Sequence, residues 1–60
     1  MNVVVYLSSG SRREFYNVNE ILEHDDGDIS ITYVDVGEMV QKWERIKSVS
    51  YDHIAVRSSI

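Results

Sequence analysis

The chain predicts an all-β fold, a small curled antiparallel meander of four to five strands. Three observations carry this expectation. Residues Asn2 to Ser8 are dense in β-branched side chains. His24-Asp25-Asp26-Gly27-Asp28 sets an Asp-Gly turn before Ile29-Ser30-Ile31-Thr32-Tyr33-Val34, where apolar and polar residues alternate. From Ser48 onward, Val49, Tyr51 and His53 alternate with Ser50, Asp52 and Ile54, as a last strand would.

Taken in order, the first strand places Val3, Val5 and Leu7 on one face and Val4 and Tyr6 on the other. Both faces are apolar, which predicts a central or doubly covered strand. Ser8-Ser9-Gly10-Ser11 reads as a turn with Gly10 at positive φ. Arg12 to Val18 reads as the returning strand, Arg13 and Phe15 opposed to Glu14, Tyr16 and Val18, with Tyr6 pairing across to Tyr16 or Phe15. At Asn17-Val18-Asn19 the reading divides. Asn can cap a turn of helix over Glu20 to Glu23, or the strand bends and resumes into the hairpin. The bend is preferred, because a hairpin at Asp26-Gly27 needs a partner strand before it. That turn is expected to be type I′, with positive φ at its central residues.

The stretch from Val36 divides more sharply. Val36, Met39, Val40, Trp43 and Ile46 follow helical spacing, and Asp35 and Glu38 stand at capping-box distance. This supports an alternative of three strands plus one helix at about 36–48. Read as a strand, the same residues put Met39, Gln41 and Trp43 on one face and Val40, Lys42 and Glu44 on the other. Gly37 in the first helical turn and a β-turn at Val36-Gly37 speak for the strand.

Sixty residues make a single domain, 1–60, with 57–60 expected as a frayed tail. A chain of this size buries only about 60% of its unfolded surface, so it needs support beyond its own core. There are no cysteines and only two histidines, His24 and His53, so neither disulfides nor a closed structural metal site is expected. Self-association, as a homodimer, is the remaining support. The formal charge of −4 disfavours non-specific attraction to nucleic acid. Met1-Asn2 leads into a β-type segment without a charged leader region, and no apolar run approaches the ~20 residues that span a bilayer. A cytoplasmic location with no membrane partner is expected, the host cytoplasm if the gene is phage-borne.

The order of signals is Val4-Tyr6-Leu7 before Ser9-Gly10, then Glu14-Phe15-Tyr16-Asn17-Val18, the Asp26-Gly27 hairpin, and Arg45-Ile46-Lys47-Ser48-Val49-Ser50-Tyr51. In this it resembles very small β-meander proteins of Gram-positive bacteria and their phages. The resemblance spans about residues 3 to 54. It implies a curled sheet with residues 39–44 as a strand and Arg45-Ile46-Lys47 as a bend, and it brings no catalytic residues. Small phage proteins of this size that inhibit host or defence proteins supply an analogy for function.

Chemistry is sparse. His24, Asp25, Asp26 and Asp28 suggest a cation site, against the plainer reading of a solvated hairpin tip. Asp52 and His53 fall on opposite faces of a regular strand and form no orienting pair. No nucleophile elbow or phosphate loop occurs, so catalysis and cofactors are not expected. Arg12, Arg13, Arg45, Lys47 and Arg57 with Tyr6, Phe15, Tyr16 and Trp43 offer a stacking surface for single-stranded nucleic acid. Tyr6, Tyr16 and Trp43 are the better lead, as candidates for a protein interface. The expectation is therefore a non-catalytic protein–protein interaction module, an accessory protein inhibiting a host or defence protein. The alternatives are a small nucleic-acid-binding β-barrel and a structural subunit of a larger assembly.

Overall fold

The computed structural model describes residues 1–58 and is all-β. Its strands are β1 (Asn2–Leu7), β2 (Arg12–Phe15), β3 (Val18–Glu23), β4 (Ile29–Asp35), β5 (Val40–Ile46) and β6 (Tyr51–Arg57), with a 3-10 turn over Ser48–Ser50. They form two three-stranded antiparallel sheets, β2-β1-β6 and β3-β4-β5.

The bend preferred from the sequence is what divides the sheets. The returning strand breaks at Tyr16-Asn17, where Asn17 takes a φ of 57°, a left-handed conformation that Asn tolerates better than most residues. Side-chain parity changes across the break, so Phe15 and Val18 both enter the core instead of pointing apart. Backbone bonds stitch the corner. The Val18 N–H donates to the Met1 carbonyl at 2.8 Å, and the Val34 N–H donates to the Asn17 carbonyl at 3.1 Å. Asn19 is passed over in the β3–β4 register as an irregularity between Val18 and Glu20.

Between the sheets lie Val3, Val5 and Phe15 from one side and Val18, Ile29, Ile31 and Ile46 from the other. β1 is central in its sheet, and Val3, Val4 and Val5 are all buried, as its two apolar faces predict. Tyr6 does not pair with Tyr16 or Phe15: it stands opposite Arg12 on β2 and His53 on β6, while Phe15 stands opposite Val3. The register, set by the β1–β2 loop, overrides aromatic preference.

That loop and the β3–β4 loop share one geometry. The Gly10 N–H donates to the Leu7 carbonyl and the Leu7 N–H to the Ser11 carbonyl; the Gly27 N–H donates to His24 and the His24 N–H to Asp28 in the same way. Gly10 and Gly27 hold φ of 95° and 90°, whereas Asp25 and Asp26 do not have positive φ. Each loop is thus a three-residue connection ending in a left-handed glycine, not the expected type I′ turn.

The helical alternative at 36–48 does not form. Asp35 Oδ1 accepts from the N–H groups of Gly37 (3.0 Å) and Glu38 (3.2 Å), so the spacing that suggested a helix cap closes an Asx-type hairpin turn. Of the helically spaced apolar residues only Ile46 is buried; Val36, Met39, Val40 and Trp43 are exposed. β5 runs through Arg45 and Ile46, so the expected bend at 45–47 begins only at Lys47. Ser48–Ser50 belong to the 3-10 turn and not to the last strand. Arg57, expected in a frayed tail, pairs with Asn2; positions 59 and 60 of that tail lie outside the described residues.

Candidate functional site

The margin where β2 of one sheet faces β5 of the other holds an open groove of about 280 Å³. Its floor follows from the parity of β2. Arg13 and Phe15 point the same way, and the Arg13 guanidinium lies 4.9 Å over the Phe15 ring. The Phe15 ring meets Tyr33 of β4 in an edge contact, centroids 5.5 Å apart. Glu44 of β5 faces inward by alternation, and its carboxylate accepts both terminal nitrogens of Arg13, at 2.8 and 2.6 Å. Their hydrogen bonding holds the Arg13 pKa above its usual value and the Glu44 pKa below the usual carboxylate range. Tyr16, Asn17, Asp35 and Val36 complete the walls. Tyr16 donates its hydroxyl to Glu14 at 3.0 Å, and that bond raises the phenol pKa.

The three aromatic residues singled out in the sequence do not assemble into one patch. Tyr16 is 56% exposed at the rim of this groove. Tyr6 lies on the outer face of β2-β1-β6, its ring stacked on His53 with centroids 4.5 Å apart. Trp43 stands on the outer face of β3-β4-β5, opposite Thr32, and is 66% exposed. Leu22, opposite Ser30 on the same outer face, is 51% exposed. Val18, expected beside Tyr6 and Tyr16, is core. Leu22 is not among the candidates read from the sequence, because the bend expected over Asn17-Val18-Asn19 leaves the faces of the strand after it unassigned.

The acidic hairpin tip is exposed at Asp25, Asp26 and Gly27, as a solvated tip would be, but Asp28 departs from that reading. Asp28 is only 4% exposed. Its Oδ1 accepts the Ser48 N–H at 2.8 Å, its Oδ2 accepts Arg45 Nε at 3.0 Å, and Lys47 Nζ lies 3.6 Å away. The Ser48 N–H, then the Arg45 guanidinium, hold its carboxyl below the usual range. Asp26 also takes Arg45, and the Tyr51 hydroxyl donates to the Gly27 carbonyl at 2.9 Å. These contacts clamp the β3–β4 loop onto the end of β5 and the 3-10 turn. Among the described residues no group of three or more His, Asp or Glu side chains is placed to hold a metal ion. His53 stacks on Tyr6, on the outer face of β2-β1-β6.

Charges sort by surface. Arg13, Lys42, Arg45 and Lys47 are in ion pairs, Lys42 with both Asp35 (3.2 Å) and Glu38 (2.8 Å). Those contacts raise the Lys42 pKa, Glu38 contributing most, and Lys42 in turn lowers that of Asp35. Among the described residues Arg12 and Arg57 make no ion pair, and no helix is long and apolar enough to cross a membrane. No protein family, no curated protein and no solved structure matches this chain.

Proposed function

We propose that this protein is a non-catalytic protein–protein interaction module that pairs with a second copy of itself through the outer face of β3-β4-β5. The observation that carries this reading is Trp43 and Leu22 together, two large apolar side chains left more than half exposed on one outward sheet face. Ser30 and Thr32 of the middle strand lie between them, and Glu20, Gln41 and Arg45 stand beside them, so the two apolar side chains project from an otherwise polar sheet face. A buried tryptophan contributes strongly to association, and its desolvation on pairing is a large apolar gain. The resemblance to small phage-encoded meanders extends the proposal to a cytoplasmic accessory protein that blocks a host or defence protein by steric contact.

Sedimentation at tens of micromolar tests it. The expected result is a species of twice the 7.0 kDa chain mass, with a melting temperature that rises with concentration. Trp43→Ser is expected to shift the protein to monomer while it stays folded. A monomer in the unsubstituted protein overturns the reading.

A second reading has its own observation. Arg12 and Arg57, which make no ion pair among the described residues, lie on the outer face of β2-β1-β6 with the Tyr6–His53 stack. This supports single-stranded nucleic-acid binding, which must weaken steeply with salt.

A further inference from the structure

We propose that the groove between Tyr16, Tyr33 and the Arg13–Glu44 pair is a binding site for a cationic side chain, arginine or lysine, carried by a partner polypeptide. Three observations on this margin of the fold converge. Tyr16 is exposed and makes no ring contact among the described residues, yet it is held in place by its hydrogen bond to Glu14. Glu14 accepts that bond and is in no ion pair among the described residues, and Arg12, two positions back on the same face of β2, is the cation nearest to it along the strand. An exposed aromatic ring anchored beside a carboxylate is a pairing that attracts a cation by both the ring's quadrupole and its neighbour's charge.

The second observation is the charge of the walls. The groove is lined by the carboxylates of Glu14, Asp35 and Glu44, against a single lining cation, Arg13, which Glu44 already neutralises. Lys42 reaches Asp35 from outside the lining set. The whole chain carries −4, so a basic segment is also drawn to it at long range.

The third observation is Arg13 itself. Its guanidinium rests over the Phe15 ring while both ends of the fork meet a carboxylate. The groove therefore already holds one guanidinium by a ring and a carboxylate. The Tyr16–Glu14 pair brings the same two components, a ring and a carboxylate, to the same groove. At about 280 Å³ the groove admits one side chain and not a folded domain.

This proposal shares with the self-association reading only that the partner is a polypeptide, and it uses a different surface, so the Trp43→Ser variant leaves it testable. The probe is the blocked peptide acetyl-Gly-Arg-Gly-amide, titrated into isotopically labelled protein at low and moderate salt. Its neutral isostere, with citrulline in place of the arginine, is the comparison. Saturable shifts of the backbone amides of residues 14–17 and 33–36 are expected with the arginine peptide, weakening as salt rises. The citrulline peptide is expected to bind roughly threefold or more weakly, and Tyr16→Ala and Glu14→Gln to weaken the arginine peptide by a similar factor, the scale of one exposed cation–π contact. Tyr16→Phe keeps the ring and is expected to lose less than Tyr16→Ala. Both positions are exposed, so the dispersed spectrum of a folded protein is retained. Equal binding of the citrulline peptide, shifts centred on Asp25 and Asp26, or no saturable shift at all would each overturn the proposal.

Discussion

Arg13 and Glu44 meet fork on fork, Nη1 to Oε1 at 2.8 Å and Nη2 to Oε2 at 2.6 Å, across the gap between an edge of one sheet and an edge of the other. A bidentate pair has a defined geometry that a lysine in place of the arginine does not reproduce. It also occupies two edge strands that otherwise present open backbone groups.

Both side chains remain partly exposed, so solvent screens the pair and its contribution is modest, about 0.2–1 kcal/mol. Glu44→Gln is expected to lower stability within that range, with the loss shrinking at high salt. A double-mutant cycle with Arg13→Ala measures the coupling. Because the folded pKa of Glu44 is lowered, the pair's contribution is complete above the ordinary glutamate value. It disappears as the pH falls through the folded value.

Gly10 and Gly27 occupy equivalent places in equivalent loops but have different surroundings. A Cβ at Gly27 would sit 3.1 Å from the Ser48 Cβ, whereas one at Gly10 meets nothing within 4 Å. Gly10→Ala and Gly27→Ala both place an alanine at strained positive φ, each at a cost of about 1–2 kcal/mol. Gly27→Ala is expected to melt lower than Gly10→Ala, because Ser48 is tied through its backbone to Asp28 and cannot give way freely. Thermal unfolding of the two variants side by side checks the order.

Asp28 is expected to make this protein less stable in acid. Its folded pKa is depressed, so the clamp is fully engaged above the ordinary aspartate value and is lost as the pH falls through the folded value. Stability is therefore expected to decline on the acid side. Asp28→Asn is expected to lose several degrees in melting temperature at neutral pH and to flatten the acid slope. A parent-like acid slope in the variant would show that other carboxylates set it.

Met39 holds a φ of 57° with its side chain 80% exposed, so it carries backbone strain without offsetting burial. Met39→Gly is expected to stabilise the β4–β5 hairpin by up to about 1 kcal/mol, the glycine's greater freedom in the unfolded chain limiting the gain. For a domain of this size that is a rise of about 4–8 °C in melting temperature per kcal/mol.

Local chemistry written in the sequence determined a good deal: the all-β class, the two glycine turns, the parity of β4 and the doubly buried character of β1. Each follows from a covalent property that acts over a few residues, such as the missing Cβ of Gly10 and Gly27 or the alternation of Ile29, Ile31 and Tyr33. The helical spacing of Val36 to Ile46 misled because Asp35 serves equally as a helix cap and as an Asx turn, and nothing local distinguishes them. Only the tertiary structure decided which side chains meet across the chain. Glu44 reaches Arg13 from 31 positions away, and Ser48 finds Asp28 from 20. It likewise decided that Tyr6, Tyr16 and Trp43 lie on three separate surfaces. The physical reason is the single bend at Tyr16-Asn17. It divides one meander into two packed sheets, so which sheet faces meet and which side chains are left outside depends on a backbone angle that composition does not encode.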